Sequence, residues 1–130
     1  MNVLEFNFSK ELEFLKEKIE MLSFKSEIKD YSEKVAFLEN SLSDVLKIKD
    51  KVFSKLFKIF DTSQINGLLC FIKACEENFS ENMERSKKEL VKGDNNNFPE
   101  NYCKAEENLY WIISLQIWII RQVTISVILR

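Results

Sequence analysis

Histidine is absent from the 130-residue chain. That removes the commonest general base, every nucleophile–imidazole dyad or triad, and the ligand on which most transition-metal sites rely. The Glu-x-x-His pairs of carboxylate-bridged di-metal bundles go with it. Three thiols remain, at Cys70, Cys75 and Cys103. Cys70 and Cys75 do not share a helical face well, and Cys103 belongs to a separate segment. Three cysteines with no spaced fourth ligand make a poor zinc site, so they read as small core residues. Two isolated glycines cannot build a phosphate-cradling loop. Glu76, Glu77, Glu81 and Glu84 cluster, as do Glu106 and Glu107, but at the spacing of a solvated helix face. The reading is a non-enzyme with no catalytic residue, no metal ligand and no cofactor.

Two other patterns carry binding chemistry. Lys47, Lys51, Lys55 and Lys58 recur at helical steps, with Lys49 nearby, a stripe able to track phosphates. Asp50 interrupts it, and an antiparallel neighbour would set Glu76 and Glu77 against Lys47, so a partly neutralised solvated face is the favoured reading. The second pattern lies in the most apolar stretch, Leu109 to Leu129, which holds both tryptophans and a single charge, Arg121. On a helix, Leu109, Ile112, Ile113, Ile119, Ile120, Val123 and Val127 share one side and form the expected core. The other side is not polar. Trp111, Trp118 and Ile125 recur every seven residues beside Ser114 and Arg121. Trp and Arg are the residue types most enriched at binding hot spots. Such a stripe is either covered by another part of the chain or used as an interface. A membrane span is disfavoured, because Gln116, Arg121 and Gln122 fall within the window.

The elements that must position these residues follow from apolar periodicity. Phe8, Leu12, Leu15, Ile19 and Leu22 step by four and three, which predicts a helix over about 8–22. The phase then breaks, and a turn near residues 23–26 accounts for it. From Ile28 the stripe runs through Tyr31, Val35, Leu38, Leu42, Val45, Lys49, Val52, Leu56 and Ile59, which predicts a second helix over about 27–60 with coiled-coil spacing. Phe53, Phe57 and Phe60 widen it as in a bundle helix. Asp61 and Gln64 have capping-box spacing at the start of a third helix, about 63–92. Lys92-Gly93 is a helix stop, and Pro99 suits the first turn of a fourth helix, about 99–129. Two glycines and one proline leave too few turn residues for an all-β fold.

The expected fold is all-α, a single domain over residues 1–130. It is an antiparallel helical bundle of three long helices plus a shorter N-terminal helix, with coiled-coil-like packing. Short connections set Leu109 opposite Met83 and Val127 opposite Ile65, with the first helix folded over the opposite, more polar end. Net charge is −2, so no global excess favours nucleic acid or anionic membrane. The odd cysteine count and an N-terminus without a basic leader predict a reduced, cytoplasmic protein. The function expected is protein–protein binding, of inhibitor, immunity, adaptor or assembly-subunit type. The partner is another protein or the chain itself as a homo-oligomer, met through Trp111, Trp118, Arg121 and Ile125. The alternative is a small subunit of a nucleoprotein complex touching RNA or DNA through the lysine stripe.

Overall fold

The computed structural model describes residues 8–23, 30–58, 62–93 and 98–128, with the backbone alone at 23, 62, 64, 98 and 124–128. Four helices follow one another: α1 (Ser9–Ser23), α2 (Tyr31–Leu56), α3 (Thr62–Lys92) and α4 (Phe98–Ile128). No strand occurs among the described residues, and the helices pack as a bundle. None of these helices, among the described residues, is long and apolar enough to cross a membrane.

The helix boundaries have local causes. α2 opens at Tyr31, later than periodicity predicts, because Asp30 is extended and its carboxylate accepts the amide of Ser32 at 3.0 Å. That satisfies one of the amides a helix start leaves open. α1 and α2 are thus separate helices. α3 ends where expected: Gly93 takes a φ of 74° and donates its amide to the carbonyl of Leu90 at 3.2 Å. Only glycine enters that region without a Cβ penalty. The expected caps at Asp61 and Gln64 and the apolar positions Ile59 and Phe60 lie outside the described residues and side chains.

Polar contacts fix the packing directions. Lys49 meets Glu76 at 2.8 Å and Lys87 meets Glu39 at 2.6 Å, so α2 and α3 run antiparallel. Asn101 donates to Glu89 at 2.6 Å beside the α3–α4 connection. This pair lies within one turn of the register that sets Leu109 opposite Met83, and both of those side chains are buried. Ser86 and Ala105, both small and fully buried, fall opposite each other in the same register. Small residues there let α3 and α4 approach closely, and these two helices share the bundle's most extensive contact. At the other edge Lys34 of α2 lies 6.0 Å from the Tyr102 ring of α4, so the starts of α2 and α4 lie together.

One placement corrects the sequence-based expectation. α1 does not fold over the polar end. Lys18 pairs with Asp44 at 3.1 Å, and Lys55 lies 5.3 Å from the Phe8 ring, so α1 runs antiparallel to the C-terminal half of α2. Its stripe Phe8, Leu15 and Leu22 is buried, and Leu12 and Ile19 pack partly against the core. An apolar stripe is stabilised most where it meets apolar surface, and in this chain that surface is the second half of α4.

The core is one contiguous cluster drawn from all four helices. On α4 it comprises Tyr102, Ala105, Leu109, Ile112, Ile113, Ile117, Ile119 and Ile120, with Val123 packed at its edge. Three-four spacing on each helix produces the expected coiled-coil-like seams. Cys75 is buried, and burial, reinforced by the charge of Glu76, raises its thiol pKa. Cys70 and Cys103 are exposed, against the reading of all three as core.

Candidate protein-binding face on the last helix

The second half of α4 is apolar nearly all round, yet among the described residues only one side of it is covered. The helix packs on α3, α1 and α2, which bury the Leu109, Ile112, Ile113, Ile119 and Ile120 side. Trp111 and Trp118 stand on the opposite side, each 53% exposed. A seven-residue interval turns a helix through nearly two full turns, so both indoles leave the same face. Arg121 is exposed one turn beyond Trp118. Ile125 continues the backbone of this helix, and its side chain lies outside the described ones.

α1 walls one edge of this face without covering it. Lys16, Ile19 and Glu20 of α1, with Ser114, Ile117, Trp118, Arg121 and Gln122 of α4, line an open groove of about 620 Å³. Its floor is apolar, from Ile19, Ile117 and the Trp118 ring. Its rim carries Lys16, Glu20 and Arg121. Among the described residues no ion pair engages any of these three charges. Two cations against one carboxylate leave the rim net positive. The α1 residues join the groove because α1 lies along the second half of α4 and not over the more polar end, where the sequence pattern alone puts it. Their signal was the apolar stripe itself, whose Ile19 had to find an apolar neighbour.

The lysine stripe of α2 is only partly brought together. Lys47, Lys51 and Lys58 are exposed, while Lys55 is half-buried over the Phe8 ring. The acidic partner foreseen for Lys47 goes to Lys49 instead. Lys49 holds a place in the apolar stripe of α2 between Val45 and Val52, so it points toward α3 rather than toward water, and Glu76 meets it there.

Gln116 is a buried polar group that periodicity did not assign. It is 0% exposed on the core side of α4, and neither its Nε2 nor its Oε1 has a hydrogen-bond partner among the described residues. It continues the three-four series Ala105, Leu109, Ile112, Gln116, Ile119 and so sits in the packing seam. Among the described residues no group of three or more thiols and carboxylates is placed to hold a metal ion.

Fold and surface together define an all-α four-helix bundle with one half-open aromatic face. No protein-family model, no curated protein and no solved structure matches the chain.

Proposed function

We propose that this chain is a non-enzymatic helical protein that works by binding a protein through the open face of α4. One observation carries the reading: Trp111 and Trp118 are half-exposed on the same face, beside an apolar-floored groove and an exposed Arg121 that no ion pair engages among the described residues. Exposed aromatic side chains in a contiguous patch are a standing aggregation hazard unless a partner covers them. Trp and Arg flanking a concave apolar floor are the chemistry of an interface hot spot. The reading belongs to the inhibitor, immunity, adaptor or assembly-subunit class, in a cytoplasmic setting.

The test is the double variant Trp118→Ala/Arg121→Ala. It should keep wild-type helix content by circular dichroism and lose no more than about 1 kcal/mol of stability in urea, because neither side chain is core. Its association, by light scattering, should weaken. If the double variant instead unfolds a protein that is monomeric, the face is structural and the reading fails.

A second reading, contact with RNA or DNA, rests on the exposed Lys47, Lys51 and Lys58, which no ion pair neutralises among the described residues. It is the weaker one, since Lys55 in the middle of the stripe is turned onto Phe8. Affinity for a nucleic acid that falls steeply with salt and is lost in Lys51→Glu/Lys55→Glu would favour it. No binding at low salt would dispose of it.

A further inference from the structure

The open face of α4 has an internal order that points to its occupant. Reading outward from the helix, Lys104, Glu107, Trp111, Ser114, Trp118 and Arg121 alternate by three and four residues. They form a second coiled-coil seam on the side away from the buried one. Glu107 is exposed, and among the described residues it has no ion-pair partner, as is true of Arg121. Ser114, the smallest side chain of the seam, stands between Trp111 and Trp118, three residues from one and four from the other, and Glu107 and Arg121 are each seven residues from it. The seam therefore reads anion, indole, small residue, indole, cation, so a reversed copy sets each end against the opposite charge.

We propose that this seam binds a second copy of the chain, α4 against α4, antiparallel, about a twofold axis near Ser114. This rests on the reading of the α4 face as a protein interface and names its partner. A twofold contact must be self-complementary, each residue meeting the counterpart of its own partner. An axis at Ser114 brings Glu107 beside the partner's Arg121, and Arg121 beside the partner's Glu107. It also brings Trp111 within a turn of the partner's Trp118, and the reverse. Both opposite-charge pairs and both aromatic pairs form at once, and the small Ser114 lets the two helices approach where they cross. The groove between α1 and α4 has room beside Trp118 for the incoming indole. Its net-positive rim of Lys16, Glu20 and Arg121 faces the incoming Glu107. A parallel arrangement satisfies none of this: it would set Glu107 against Glu107 and Arg121 against Arg121.

Charge reversal tests it on the full chain. Wild type should sediment as a dimer at tens of micromolar. Glu107→Arg and Arg121→Glu should each weaken the dimer by about tenfold or more, since each sets two like-charge contacts across the axis. Mixed together, the two variants should form a heterodimer, because both contacts are then of opposite sign. The variant carrying both changes should again form a homodimer. Ser114→Glu, which puts two carboxylates at the axis of a homodimer, should dissociate it, while mixing with wild type, which leaves one carboxylate there, should recover part of the dimer; this variant serves if either reversal disturbs folding. A wild type that stays monomeric overturns the proposal, as does a dimer indifferent to all three substitutions. In the monomeric case, a Trp118→Ala/Arg121→Ala variant that still folds leaves the α4 face as an interface for a different protein. One that unfolds removes that reading too.

Discussion

Lys49 of α2 and Glu76 of α3 meet at 2.8 Å, Nζ to Oε1, with 18% and 22% of their side chains exposed. The pair ties two long helices at a level where both flanking stripes are apolar. Lys49 is 4.0 Å from Asp50 as well, but Asp50 is largely in water and contributes little. Because the pair is mostly withdrawn from water, removing one partner leaves a poorly solvated charge. Lys49→Met should cost about 1–3 kcal/mol in urea denaturation. The double variant Lys49→Met/Glu76→Leu should recover most of that loss, since two apolar groups need no compensation. A cost below about 0.3 kcal/mol for the single variant would place the pair among ordinary surface contacts.

Gln116 presents the opposite case, a buried amide with neither atom hydrogen-bonded among the described residues. An unsatisfied buried polar group costs about 1–3 kcal/mol. Gln116→Leu keeps the volume and removes the amide, so it should raise the urea midpoint by an amount worth about 1–2 kcal/mol. A drop in stability would show that the amide is bridged by water. A polar residue in a packing seam can also hold register. The Leu variant should therefore be checked for loss of sharp, well-dispersed amide resonances as well as for its midpoint.

These two residues show what could be read from the sequence and what could not. The α3–α4 hairpin was legible because Lys92-Gly93 and Pro99 bracket a single short connection, and connection length sets register. Leu109 and Met83 are both buried as that register requires. The Trp111 and Trp118 face was legible as a second stripe, because helical phase separates it from the core whatever covers it. Its exposure was not, since that depends on where α1 lies. The α1–α2 connection has no Gly or Pro to mark it, and the offset is fixed by contacts distant in sequence, Lys18 with Asp44 and Phe8 with Lys55. Lys49 breaks an apolar series, and its complement, Glu76, lies 27 residues away on another helix. The burial of Gln116 follows from the close packing of α4, which its polarity argues against.

The two glycines should respond oppositely to alanine. Gly67 lies in the second turn of α3 with open space where a Cβ would go, and its φ is not positive. Gly67→Ala should stabilise by about 0.5–1 kcal/mol, by narrowing the unfolded ensemble and raising helix propensity. Gly93 also has open space, but at a φ of 74°. Gly93→Ala should destabilise by about 1 kcal/mol from backbone strain alone. Thermal midpoints of the two variants beside wild type decide it. A gain at Gly93 would mean that the α3 end can be rebuilt without the left-handed residue.

Tyr102 makes the stability of the fold sensitive to alkaline pH. It is buried at the start of α4, and burial first, with the neighbouring Cys103 second, pushes its phenol up to about 12 from 10.0. In the unfolded chain the phenol loses its proton near pH 10, while in the bundle it holds it until about 12. A folded pKa raised above the unfolded one gives stability that is whole below the lower value and lost as pH climbs through the higher. Burial raises the Cys75 thiol above 9.0 in the same sense, so the decline begins there and steepens above pH 10. Urea midpoints should therefore be level from about pH 7 to 8.5 and fall beyond. Tyr102→Phe should flatten the steeper part of that fall relative to wild type, leaving the earlier part, which Cys75→Ala should reduce. If Tyr102→Phe loses stability with pH along the same curve as wild type, the phenol ionises as freely in the bundle as in the unfolded chain, and the packing of α4 against α2 at that end is looser than its burial indicates.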